Sequence, residues 1–207
     1  QRYPAPTAVR CAGNAMSSIT LPLFPLHGAL LPGAGITLRV FEQRYLDLLR
    51  ECSRDNSSFG ICLILEGREV GKPARPAHWG VEARIEDFDL GADGVLVLRL
   101  RGARRFHVDQ VSVRDNGLVM GQVQWCPADS DDEVRPEHGL LSLLLERIIE
   151  QVGGPHAKAG PDLYDQAAWV GWRLAELMPL DEAQRLVLLQ LDDPHQRLDL
   201  LLGWIPD

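Results

Sequence analysis

Apolar residues change their spacing once along this chain, and that change divides it. From Ile19 to Trp125 they fall in short runs, several alternating with polar residues and parted by Asp93-Gly94 and Asn116-Gly117. A period of two turns one strand face to a core, and such dipeptides close hairpins. From Leu140 onward the spacing is three and four residues, one face of a helix. Between the two patterns lies PADSDDEVRPE, residues 127–137, acidic and bounded by prolines, which reads as a linker. The expected fold is therefore α+β. A mixed or antiparallel sheet over 19–126, curled into a small barrel and covered at one end by a helix, precedes a helical bundle over 138–207.

Within the first part, Ile19–Leu26 carries Pro22 and Pro25. Two prolines three apart forbid a helix and a central strand, and predict an edge strand or an extended segment lying over the core. Residues 42–54 place Tyr45, Leu48, Leu49 and Cys52 on one helical face, with Arg44, Asp47, Arg50 and Glu51 elsewhere. Residues 59–66 are almost wholly apolar and predict a buried strand. Residues 80–87, 95–101, 104–113 and 118–125 predict further strands, with Gly102 at a bulge or bend. In the second part, the apolar positions between Leu140 and Val152 form one face stopped by Gly153-Gly154. Pro161 opens a second helix running to Met178-Pro179-Leu180. Asp181 with Gln184 resembles an N-cap pair for a third, and Asp193-Pro194 starts a fourth. Residues 1–18 lack a basic start followed by an apolar core, so no secretory signal is expected there, and the segment reads as a flexible leader or an upstream extension.

The composition excludes several kinds of chemistry. A net charge of −8 gives no general attraction to nucleic acid or anionic lipid, and residues 128–207 hold 16 acidic against 6 basic side chains. No run of 18 apolar residues predicts a membrane span. Cys11, Cys52, Cys62 and Cys126 form no CxxC pair and read as free thiols of a reducing, cytoplasmic setting. No phosphate-cradling GxxxxGK[ST] is present, and Gly33-Ala34-Gly35 reads as a turn. The six histidines show no metal-ligand spacing, and no GxSxG marks a nucleophile. Apolar neighbours make Cys62 an inert thiol. No catalytic residue, metal ligand or cofactor is expected.

Arg101, Arg104 and Arg105 form the one basic cluster, beside Phe106. Alternation puts Arg104 and Phe106 on one face and Arg105 on the other, which weakens a nucleic-acid surface. The structural alternative pairs an arginine with a carboxylate such as Glu42 and buries Phe106. Trp79 and Trp125 flank strands, while Trp169 and Trp172 are three apart on a helix. These four tryptophans are the candidates for gripping unfolded peptide; core packing is the other reading of the same positions.

Taken together, Leu21-Pro22-Leu23-Phe24-Pro25-Leu26, Leu31-Pro32-Gly33 and Phe41-Glu42-Gln43-Arg44-Tyr45 resemble the opening of the Lon protease N-terminal domain family. Gly80 to Ile85 and Gly102-Ala103-Arg104-Arg105-Phe106 are similar to its next signatures. Trp172, Leu174, Ala175, Leu177 and Pro179-Leu180, with the leucines up to Arg197-Leu198, resemble its helical tail. The sequence departs at Thr37, where proline is frequent in the family, and in the inserted-looking stretch Lys72 to His78.

The resemblance implies a PUA-like β-barrel followed by a helical bundle. It also implies a module that, in full-length Lon, recruits substrates and helps assemble the ring, with the ATPase and Ser-Lys protease parts downstream. A chain ending at Asp207 then looks like a stand-alone member without hydrolytic machinery. Its motif residues are scaffold. Pro22 and Pro25 stiffen an extended segment, Phe41 and Tyr45 are expected to pack together, and Glu42 and Arg44 are left to hydrogen-bond. The binding surface is expected in the cleft between barrel and bundle or on exposed sheet edges. The function expected is non-catalytic protein or peptide binding by an adaptor or regulator of proteolysis. Its partners would be unfolded or flexible polypeptides and a protease, with self-association allowed. RNA or nucleotide-like ligand binding is the alternative, and an uncharacterised enzyme the second.

Overall fold

A computed structural model describes residues 18–205. The six strands are β1 (Ile19–Leu26), β2 (Gly35–Val40), β3 (Phe59–Glu66), β4 (Arg75–Leu90), β5 (Leu96–Val113) and β6 (Val119–Trp125); helix α1 (Gln43–Asp55) lies between β2 and β3. They form one mixed sheet in the order β2-β5-β4-β3-β1-β6, with a further β5–β6 pairing. The expected PUA-like barrel is thereby corrected to a curled mixed sheet. The reason lies in the length of β4 and β5, 16 and 18 residues. Only the later half of β5 meets β6, through Phe106 to Val113. Its earlier half runs out with the end of β4 and takes β2 as an outer strand, Gly35 opposite Arg101 and Val40 opposite Leu96. These outer halves form a three-stranded arm. The segment Lys72 to His78 contributes the start of β4, and the two runs expected either side of Gly102 are one strand with a register shift there.

β1 is an interior strand, not the edge strand expected. It pairs antiparallel with β6 through Ile19 to Leu23 and parallel with β3 through Leu23 to Leu26. Each half is therefore bonded on one side only. Pro22 and Pro25 occupy halves whose missing N–H can face the unpaired side, so neither breaks a ladder.

Close packing inside the curl depends on glycine. Phe106 is fully buried among Leu21, Leu23, Cys62 and Val123. A Cβ on Gly80 would lie 2.5 Å from its Cζ, and one on Gly60 would also overlap the ring. At Gly102 a Cβ would collide with the Leu31 carbonyl oxygen. This close approach lets Gly102 exchange backbone hydrogen bonds with the loop before β2, Gly33 N–H donating to Gly102 O and Gly102 N–H to Ala34 O, each 2.9 Å. Burying a ring such as Phe106 contributes about 1.5–3 kcal/mol.

The helices that follow are α2 (Gly139–Val152), α3 (Ala167–Leu177), α4 (Glu182–Leu189) and α5 (Pro194–Gly203). Pro161–Asp165 is a separate 3-10 turn, so α3 begins later than Pro161 suggests. Gly153 and Gly154, both at positive φ, stop α2 as expected. Asp181 and Gln184 form a reciprocal capping box. α2 buries the narrow stripe Leu141, Leu145 and Ile149 and leaves Leu140, Leu143 and Val152 exposed. The larger apolar cluster runs continuously from Phe24 and Tyr45 through Trp79 and Leu98 to Leu174 and Leu201.

Polar clamps join sheet to helices. Arg173 on α3 donates to the carbonyls of Pro32 and Gly33. Glu182 accepts from Ala29 N–H at 2.7 Å, and Arg105 on β5 reaches Leu189 O and Asp192. Residues 127–137 are bound down as well. Val134 N–H donates to Asp165 O, Asp132 O accepts from Ala167 N–H, and Glu133 bridges to Gln166. Asp129 accepts from Trp172 Nε1 and from Arg197, both at 2.6 Å, and lies 3.8 Å from Arg105. Arg197 is wholly buried, and burial pushes its pKa down while Asp129 opposes that shift. Of the leader expected over 1–18, all but Ser18 lies outside the described residues, as does Cys11. Among the described residues no helix is long and apolar enough to cross a membrane.

Candidate functional site

The outer arm and α1 face each other across an open groove of about 1880 Å³. Alternation along β5 turns Leu96 and Leu98 toward the groove. Their cross-strand partners Leu90 and Phe88 stand beside them on β4, with Ile85 opposite Leu100. α1 supplies Leu46, Leu49 and Ser53, and the start of β1 supplies Ile19 and Leu21. Phe41, at the junction of β2 and α1, completes the lining. Phe41, Phe88 and Leu90 are 59%, 70% and 69% exposed, and Ile85 is 40% exposed. Single exposed apolar residues are ordinary; a group of them around one groove marks an interaction surface. The opposite face of the arm is ionic, with Arg39–Asp93, Arg99–Asp87 and Arg101–Glu86 paired along it.

One wall of the groove is a polar cluster. Arg104 forks onto Glu82 at 2.9 and 3.1 Å, and its guanidinium lies 3.8 Å over the Trp125 ring. Ser58 donates to the same carboxylate at 2.7 Å. Burial pushes the Glu82 carboxyl up, but hydrogen bonds from Arg104 and Ser58 and the charges of Arg104 and Arg84 outweigh it, leaving its pKa below the usual value.

The four candidate tryptophans do not share a surface. Trp79 and Trp172 are buried, the first edge-on to His107 and the second hydrogen-bonded to Asp129. Trp169 is half-buried against Tyr164 and His156. Only Trp125 of the four lines the groove. The spacing of Phe88 and Leu90 before the Asp93-Gly94 turn was available in the sequence as a strand face, but not that both side chains stay mostly exposed among the described residues. The cleft expected between sheet and helices is crossed by the Arg105, Arg173 and Glu182 clamps.

The motif residues serve the scaffold, with corrections. Tyr45 stacks on Phe24 at 3.8 Å rather than on Phe41, which points outward. Burial raises the Tyr45 pKa to about 12 despite the opposing charge of Arg44. Arg44, expected off the packed face of α1, is 6% exposed; it pairs with Glu42 at 3.1 Å and donates to Gly117 O. Arg104 pairs with Glu82, not Glu42, and Phe106 is in the core. Arg101 and Arg104 are ion-paired and Arg105 is buried, so these three do not line one positive groove. Cys62 is buried, and burial drives its pKa far up. Among the described residues no group of three or more His, Cys, Asp or Glu could hold a metal ion.

The family described as the ATP-dependent protease La (LON) substrate-binding domain matches residues 20–207. The chain belongs to that family. The crystal structure of a Lon N-terminal domain protein from Xanthomonas campestris is 63% identical, with a TM-score of 0.79, over 91% of this chain and 99% of that one. The N-terminal domain of the Mycobacterium avium complex Lon protease shares the fold at 18% identity and a TM-score of 0.64, over 90% and 97% of the two chains. No curated protein matches the chain. The chain is thus homologous to the non-catalytic N-terminal domain of Lon, not to its protease domain.

Proposed function

We propose that this Lon substrate-binding domain family member takes exposed apolar segments of unfolded or flexible polypeptides into the groove between α1 and the β4–β5 arm, as an adaptor or regulator of proteolysis. The observation that carries this reading is the group of exposed apolar side chains, Phe41, Ile85, Phe88 and Leu90, lining one groove. A folded partner needs a matching shape, whereas an extended apolar segment needs only a long nonpolar trough. Among the candidate tryptophans, Trp125, under the Arg104 guanidinium, supports this reading because it lines the groove. A protease is the partner that this reading requires downstream, and the unpaired thiols of Cys52 and Cys62 suit a cytoplasmic setting.

The test is fluorescence anisotropy with labelled unstructured peptides graded in apolar content. Affinity is expected to rise with apolar content, and Phe88→Ser, at a surface position, is expected to weaken it at least tenfold while leaving the melting temperature in place. Flat binding across the series, or binding indifferent to Phe88→Ser and Phe41→Ser alike, would remove the groove from consideration.

A further inference from the structure

The outer half of β4 has an open backbone edge. β3 pairs with β4 only as far as Phe59 opposite Ala83, and beyond it residues 84–90 are bonded to β5 alone among the described residues. The backbone polar groups of Phe88 and Leu90 lie on the open side. Gly91 N–H donates to Val95 O across the turn, so it faces β5, and Leu90 before it faces away. From the other end, Gly102 exchanges its bonds with Gly33 and Ala34 on the β2 side. Alternation turns Leu98 and Leu96 to that side as well, so their partners Phe88 and Leu90 turn away from β5. The hydrogen bonds of these two residues agree. Phe88 N–H donates to the Asp87 carboxylate at 2.9 Å and Leu90 N–H to the Asp89 carboxylate at 2.8 Å, each cap coming from the preceding residue.

A strand edge of this kind is completed by another strand. The same two residues also give the groove exposed apolar side chains. Charge selects the strand. Residues 84–90 carry Arg84 against Glu86, Asp87 and Asp89. Glu86 and Asp87 are paired with Arg101 and Arg99, whereas Asp89 has no ion pair among the described residues. A second copy laid antiparallel along this edge sets Asp87 and Asp89 of the two chains against each other, and like charges directly opposite are destabilising. A segment with basic residues at alternate positions meets this edge with opposite charge, while its remaining residues stand beside Phe88 and Leu90.

We infer that the occupant of the groove is an extended polypeptide segment of alternating apolar and basic residues, added as a strand to the β4 edge at residues 84–90. This rests on the peptide-binding reading above and fixes how the segment is held. Its backbone carbonyls take over the Phe88 and Leu90 N–H groups. Asp87 keeps Arg99, and the Asp89 carboxylate, released from Leu90 N–H, meets a basic side chain on the ionic face of the arm. The apolar side chains of the segment lie on the groove face with Phe88 and Leu90.

Anisotropy with a labelled peptide of alternating Val and Lys decides the matter, beside two N-methylated forms and a Val–Gln analogue. Methylation of every Val amide removes one row of backbone donors, and methylation of every Lys amide removes the other, with the side chains unchanged. Only one row of an added strand faces β4. One form is therefore expected to bind about tenfold or more weakly than the parent, and the other to bind like it. Loss on the Val row marks an antiparallel strand, and loss on the Lys row a parallel one. The Val–Gln analogue is expected to bind about two- to fivefold more weakly than the parent at low salt, a difference that high salt narrows. Asp89→Asn, at a surface position, should remove most of that difference while leaving the Val–Gln affinity and the melting temperature in place. Equal affinity of the two methylated forms, whether both bind or both fail, would overturn the inference and leave the groove reading to its own Phe88→Ser test. Val–Gln binding as tightly as Val–Lys, or a difference that survives Asp89→Asn, would overturn it too. Wild-type dimers in sedimentation that exclude the peptide would overturn it in favour of a second copy on this edge. No binding of any apolar peptide would take down both readings.

Discussion

Replacing Asp129 by alanine is the sharpest test of how the strap from residue 127 to 137 holds the helices. Its two carboxylate oxygens accept from Arg197 and Trp172 at 2.6 Å, with Arg105 at 3.8 Å. Arg197 and Arg105 have side chains 0% and 3% exposed, so neither can turn to water when the carboxylate goes. Breaking a buried ion pair by removing one partner costs about 3–5 kcal/mol, because a desolvated charge remains. Asp129 is itself 20% exposed and Arg105 keeps Asp192, which places the cost at the low end, about 3 kcal/mol. For a chain of this length that corresponds to a fall of about 6–12 °C in the melting temperature. Urea unfolding followed by tryptophan fluorescence measures it, and Trp172 reports directly on the site; the midpoint should fall with little change in slope. Adding Arg197→Met removes the stranded charge, so the double variant should be no less stable than Asp129→Ala alone. A single variant within about 0.5 kcal/mol of wild type would refute the reasoning. So would a double variant in which the two losses simply add.

Three further perturbations probe other contacts of the fold. Gly102→Ala drives a methyl into the Leu31 carbonyl and strains the paired bonds to Gly33 and Ala34, so it should cost about 1–3 kcal/mol by thermal unfolding; an unchanged midpoint would mean the loop yields freely. Burial raises the pKa of both Cys52 and Cys62, so peptide mapping after brief alkylation at pH 8 should find both thiols unmodified in the folded chain and modified in urea. Glu82 has a folded pKa below its ordinary 4.5, so its contribution is complete above pH 4.5 and is lost as the pH falls through the lower native value. Glu82→Gln should therefore be less stable than wild type at pH 7 and show a flatter decline below pH 4.5; parallel acid limbs in the two proteins would exclude this role.

Much of this was legible in the residues, and the misreadings have particular causes. The turn at Asp93-Gly94, the stop at Gly153-Gly154 and the capping box at Asp181 are local, and local chemistry decides them. Pro22 and Pro25 misled because a proline reveals a missing donor but not which side of the strand lacks a partner. Arg44, Arg105 and Arg197 look like surface residues by type; each is buried because a carbonyl or carboxylate far along the chain meets it. The acidic stretch from 127 to 137 reads as a linker from its composition, and its contacts escape the sequence because the arginines that Asp129 meets lie 24 residues before and 68 residues after it. The groove was hidden because its defining property is that Phe41, Phe88 and Leu90 stay mostly exposed among the described residues, and periodicity cannot register a missing neighbour.

The position of β1 sets the order in which this chain can be assembled during synthesis. Its closing half finds β3 soon after translation, but its opening half has to wait for β6: Thr20 meets Gln122, 102 residues later. At ribosomal speeds of roughly 5–20 residues per second, that is a delay of roughly 5–20 s in which Ile19 and Leu21 are uncovered. A nascent protein of this design spends its first seconds showing the same kind of greasy, unstructured stretch that its finished groove is proposed to receive.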